Sequence, residues 1–184
     1  MKRTAVFALM IALSLLTACG GGAQREAFEK YSGKLAAAES LSFTANVTAQ
    51  YDDRSCEFTL DYAQSSEQGA AVTVKAPDII AGITARIAPG SSELEYDGRI
   101  LDTGDLTPSG LTPVSSLPKL AETLKSGHVY MVWKEGDATV AQLTPENGLT
   151  VTVWLDENMT PYHAELQNSG KVVVFCDIIN FKYS

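Results

Sequence analysis

Residues 41–62 read LSFTANVTAQYDDRSCEFTLDY, and their period decides the fold. Leu41, Phe43, Ala45, Val47, Ala49 and Tyr51 alternate with Ser42, Thr44, Asn46, Thr48 and Gln50. Successive strand side chains point to opposite faces, so this alternation predicts a long strand with one buried face. Asp52-Asp53 turns the chain. Cys56, Phe58, Leu60 and Tyr62 then alternate with Glu57, Thr59 and Asp61, as a hairpin partner would.

The same period recurs downstream. Val72 and Val74 mark a third strand stopped by Pro77, residues 83–87 a fourth, and Leu94 and Tyr96 a fifth. Asp97-Gly98 is a two-residue hairpin signal, and residues 99–101 leave it as a short sixth strand. Residues 106–125 (LTPSGLTPVSSLPKLAETLK) then break the pattern and end as a helix. Pro118 suits its first turn, Ser115 or Ser116 its cap, and Gly127 its end. Leu117, Leu120 and Leu124 form its apolar face. Such an insert in an otherwise β chain is expected to be a lid or plug. Strands resume at residues 129–133, 138–143, 149–155, 162–167 and 172–181, about eleven in all. The last carries apolar residues on both faces, which predicts burial on both sides or a partner surface.

Upstream, residues 24–39 read as a helix with Phe28, Tyr31 and Leu35 on one face. Met1-Lys2-Arg3 and the apolar residues 5–16 have the charge and length of a signal peptide, too short to span a bilayer. Leu16-Thr17-Ala18-Cys19 follows, then Gly20-Gly21-Gly22. This order resembles the bacterial lipobox. The resemblance implies a signal peptide over residues 1–18, a lipidated Cys19 with a glycine tether over 19–23, and one domain over 24–184. Two or more acyl chains would hold such a protein stably on the outer face of the cell membrane.

The 184 residues carry 14 Lys+Arg against 22 Asp+Glu, a net charge of -8. An acidic chain lacks the positive footprint that nucleic acid or anionic lipid requires. The sequence has no G-x-S-x-G, H-E-x-x-H, Walker loop or C-x-x-C. His128, expected to cap a helix end, and His163, on a polar strand face, are its two imidazoles. No catalytic residue, metal or cofactor is expected.

Open twisted sheets rarely exceed about ten strands without curling, and barrels of about eight already hold a small ligand. A curled sheet with a helical plug is therefore expected. Phe58, Met131, Trp133, Val151 and Val153 either line a ligand cavity or pack a core.

The lipobox, the helix, three opening strands, the segment Val72-Thr73-Val74-Lys75-Ala76-Pro77, the proline-bearing insert and the final strands together resemble the LolA/LolB-like superfamily. Its members are lipoprotein-localisation factors and related envelope lipoproteins. The resemblance implies a mainly β fold: an unclosed antiparallel barrel of about eleven strands, with an N-terminal helix and a helical lid over an apolar cavity for acyl chains. Here the cavity would be lined by Phe43, Val47, Phe58, Leu60, Tyr62, Val72, Val74, Ile83, Ile87, Met131, Trp133, Val151 and Val153, and lidded by Leu117, Leu120 and Leu124. Each buried CH2 contributes roughly 0.8 kcal/mol, so a dry cavity competes with a membrane for a lipid tail. Soluble carriers of this family often place arginine just before the proline. This chain has Ala76 there, with Lys75 on the opposite face, so a lid mechanism based on that arginine is not carried over.

Two functions follow. One is non-enzymatic binding of acyl chains or lipoproteins. The other is an envelope scaffold, its barrel filled by its own side chains, that holds an enzyme of cell-wall or spore metabolism. With Cys19 acylated, Cys56 and Cys176 remain as an even pair, either a disulfide joining the second strand to the last or two free thiols.

Overall fold

The computed structural model describes residues 20–51, 54–88, 91–103, 111–144 and 149–184. The expected signal peptide, Cys19, the Asp52-Asp53 turn and the start of the 106–125 segment lie outside these residues. In chain order the elements are α1 (Gly20–Ala36), β1 (Ser40–Tyr51), β2 (Arg54–Ser65), β3 (Gly69–Ala76), a 3₁₀ turn (Asp78–Ile80), β4 (Thr84–Ala88), β5 (Ser91–Tyr96) and β6 (Arg99–Asp102). Then come α2 (Pro113–Ser126), β7 (His128–Glu135), β8 (Ala138–Thr144), β9 (Leu149–Leu155), β10 (Pro161–Asn168) and β11 (Lys171–Tyr183).

The eleven strands form one antiparallel sheet in the order β6-β5-β4-β3-β2-β1-β11-β10-β9-β8-β7. Two meanders, β1–β6 and β7–β11, are sewn together where β1 pairs with β11. β6 and β7 are the free edges, so the barrel is not closed. α2 is the chain's passage between those two edges, and it crosses the inward face of the sheet, touching β1, β2, β3, β8 and β10.

β1 is the spine of the inward face. Leu41, Phe43, Ala45, Val47 and Ala49 are all buried, while the intervening residues are partly or fully exposed, as the period of two requires. The apolar lane continues sideways through cross-strand pairs: Phe43 faces Tyr62, Tyr62 faces Val72, and Val72 faces Ala85. On the outward face polar side chains pin the register. Thr44 donates to Asp61 at 2.7 Å, Thr59 to Asn46 at 3.0 Å, and Arg86 pairs with Glu95 at 2.8 Å. Asp97 and Gly98 both have positive φ, 50° and 70°, which is the type I′ hairpin turn that their dipeptide announces.

The described ladders carry five register shifts, and at three of them the alternation read from the sequence fails. In β7 the register shifts between Val129 and Met131. Val129 and Val132 are therefore buried, Met131 is 48% exposed, and Trp133 turns to the outward face, where it pairs with Val140. In β10 a shift between Pro161 and His163 exposes Tyr162 beside the buried Ala164 and Leu166. In β11 the pairing skips between Ser42 and Thr44, with Asn180 at φ 56°. The skip swings Phe181 inward to stack on Phe43 at 5.5 Å.

Candidate functional site: the inward face and its plug

α2 begins with a capping box. Thr112 is the N-cap: its side chain accepts from the Ser115 amide at 3.1 Å, and its own amide donates to Ser115 Oγ at 2.9 Å. Pro113 holds the first helical position, where its missing N–H costs nothing. The helix thus starts five residues before Pro118, which stands inside it rather than in its first turn. Gly127 is the C-cap, its amide donating to the Thr123 carbonyl at 2.8 Å. His128 is the exposed first residue of β7, not a cap.

The spacing of Leu117, Leu120 and Leu124 aims all three at the sheet, and all are fully buried. Two polar residues share that buried face, Ser116 and Thr123. Each is satisfied within the helix, Ser116 by the Pro113 carbonyl and Thr123 by the Lys119 carbonyl, both at 2.7 Å. Ser116 also stands close enough to the Cys176 thiol to oppose the rise that burial gives its pKa. The longer polar ties gather at the C-terminal turn. Ser32 of α1 donates to the Leu124 carbonyl at 2.8 Å, and Lys125 Nζ donates to Gln64 at 2.8 Å. Partial burial lowers the Lys125 ammonium from its ordinary value. α2 is thus seated mainly by apolar contact and hinged at one end by hydrogen bonds.

α1 lies against β7 and α2. Phe28, Tyr31 and Leu35 are its buried face, as their spacing predicts. Arg25 donates to the Val129 carbonyl at 3.0 Å, blunting part of the β7 edge. The Tyr31 hydroxyl is buried without a hydrogen-bond partner; burial, and then Tyr183, raise its pKa well above the ordinary tyrosine value.

Phe43, Val47, Leu60, Tyr62, Val72, Val74, Val151 and Val153 join one continuous core with the α2 leucines, none more than 5% exposed. Phe58, Ile83 and Ile87 pack against the rim of that core, half-buried. Met131 and Trp133 lie apart from it, because the β7 bulge reverses their faces. Sequence alternation missed Val132 and Phe181 as inward residues of this site, which only the bulges reveal, whereas it rightly set Cys176 in register with Val174 and Ile178.

Cys56 and Cys176 are free thiols. Cys56 pairs with Ala49 across β1–β2, and Cys176 pairs with Val47 across β1–β11. They are two strands and two residues apart, roughly 12 Å at ordinary sheet spacings. A disulfide needs Cα atoms within about 7 Å, so of the two alternatives the sequence left open the pair takes the free thiols. Lys75 points outward to Asp61, 3.7 Å away, and Ala76 holds the place before Pro77.

No family model and no curated protein sequence matches the chain. Solved structures do resemble it. A conserved protein of Thermus thermophilus is 8% identical over 84% of each chain, with a TM-score of 0.49. A LolA superfamily protein from Nitrosomonas europaea is 11% identical over 84% of this chain and 93% of that one, with a TM-score of 0.47. A chain from the complex of the CwlD amidase with the GerS lipoprotein of Clostridioides difficile is 12% identical over 87% of this chain and 95% of that one, with a TM-score of 0.45. The fold is mainly β: one unclosed antiparallel sheet of eleven strands with two helices. The sheet keeps its two helices on the inward face and its polar ladder outside. Among the described residues no helix is long and apolar enough to cross a membrane.

Proposed function

We propose that this is a non-enzymatic extracytoplasmic lipoprotein, anchored through Cys19, whose inward sheet face takes up an acyl chain when α2 moves aside. The observation that carries this reading is the seating of α2. Its buried face is apolar or self-satisfied, and its hydrogen bonds to neighbouring elements sit at its C-terminal turn, so lifting the rest of it exposes an apolar lane that needs another apolar cover. An acyl chain supplies that cover at roughly 0.8 kcal/mol per buried CH2. The hydrogen bonds at Ser32 and Lys125 leave a hinge at the C-terminal end of α2.

The completeness of the core favours a second reading. Side chains fill the space beneath α2, as they would in an envelope scaffold that serves a protein partner and has no ligand. Native mass spectrometry of the full chain purified from membranes separates the two and tests the anchor in one spectrum. The acyl-binding reading expects covalent acyl mass on Cys19 and, besides it, a population carrying a dissociable lipid or taking up added fatty acid. A lipidated protein that takes up no fatty acid leaves the scaffold reading. An unmodified Cys19 sinks the anchor.

A further inference from the structure

The second strand is paired on both sides for only part of its length. β1 accompanies β2 along its whole run, from Arg54 opposite Tyr51 to Ser65 opposite Ser40. β3 joins it from Thr59, opposite Ala76, onward. Beyond that point the chain departs through Pro77 into the Asp78–Ile80 turn. Among the described residues, no strand runs along the other side of residues 55–58. A concavity of about 490 Å³ lies over the neighbouring strands, lined from Asp177 of β11 and residues 46–48 of β1 across residues 57–59 to Ala76 and Pro77. An open strand edge presents unused N–H and C=O groups and is a template for another strand. Cys56, an exposed thiol, stands in the middle of this edge.

We infer that this edge is a self-association surface, on which the β2 strands of two copies pair antiparallel about Cys56. A two-fold axis perpendicular to the sheet keeps inward faces inward, so facing residues must share a face. A register centred on Cys56 meets that condition. It sets Cys56 opposite Cys56, Ser55 opposite Glu57, and Arg54 opposite Phe58 of the other copy. No like charges face each other, and Glu57 meets a hydroxyl donor. The pairing fits between two stops. On one side β3 begins at Thr59, and on the other the β1–β2 hairpin reverses after Arg54. Facing Cα atoms in antiparallel strands lie about 4.5 or 5.5 Å apart, and both values are within disulfide range. The inference does not rest on acyl binding.

Diamide oxidation of the full chain in membranes tests it. Two Cys56 thiols lose two electrons and two protons to diamide, which becomes the hydrazine, and one S–S bond forms. The expected product is a reducible species of twice the monomer mass, mapped to a Cys56–Cys56 peptide pair. A Cys56→Ser variant should lose it. Adding Ser55→Cys to that variant should not restore it, because position 55 faces position 57 across the axis and lies on the opposite face. Absence of the dimer overturns the inference. So does equal cross-linking from position 55, which marks random collision, or linkage of Cys56 chiefly to a different protein, which marks a foreign strand on this edge.

Discussion

Cys176 lies under the plug near Ser116 and is packed among Val47 and Ala164, its partners in neighbouring strands. Burial pushes its thiol up to about 12 from an ordinary 9.0, with Asp177 adding to the rise and Ser116 opposing it. Burial also raises the phenols of Tyr31 and Tyr62. In each case the unfolded chain gives up its proton at lower pH than the folded one. Their contribution to stability is therefore complete below about pH 9 and is lost as pH climbs toward 12. The denaturation midpoint should fall steadily across that range, and a flat profile would show that these groups are not in dry surroundings. At this scale the sequence was legible wherever alternation ran unbroken, as from Leu41 to Ala49. It misled at Met131, Tyr162 and Phe181, because one extra residue in a strand reverses every later face and leaves no mark in composition.

In the proposed function α2 is the element that moves. Leu120 is fully buried against the sheet, and truncating such a residue costs about 2–5 kcal/mol. Leu120→Ala should lower stability by that amount if α2 unfolds with the sheet. If α2 lifts separately, Leu120→Asp should expose the inward face while the strands stay cooperative. The check is near-UV circular dichroism beside binding of a dye for apolar surface. Dye binding with an intact sheet transition supports a separable plug; loss of both together marks α2 as plain core. The three leucines were readable from their spacing. The cap was not, since Ser115 acts as the reciprocal partner of Thr112 and the helix tolerates Pro118 in its interior. Seating on a concave apolar sheet outweighs the local loss at that proline, including the donor to the Val114 carbonyl.

Across the whole molecule, eleven strands and their meander order follow from the period of two and the turn residues between runs. What sequence could not supply is the pairing of β1 with β11, which joins the ends of the chain and lets β6 and β7 remain as free edges. That gap gives α2 its route across the inward face, and the central claim is that this route is reversible. Hydrogen exchange along residues 113–126, with and without a fatty acid, tests the claim most directly. The reversible plug predicts amides in α2 that exchange faster than those of β1 in the free protein and change their protection when the acyl chain is added, while β1 stays constant. Protection in α2 equal to that of β1, unmoved by the fatty acid, would contradict it.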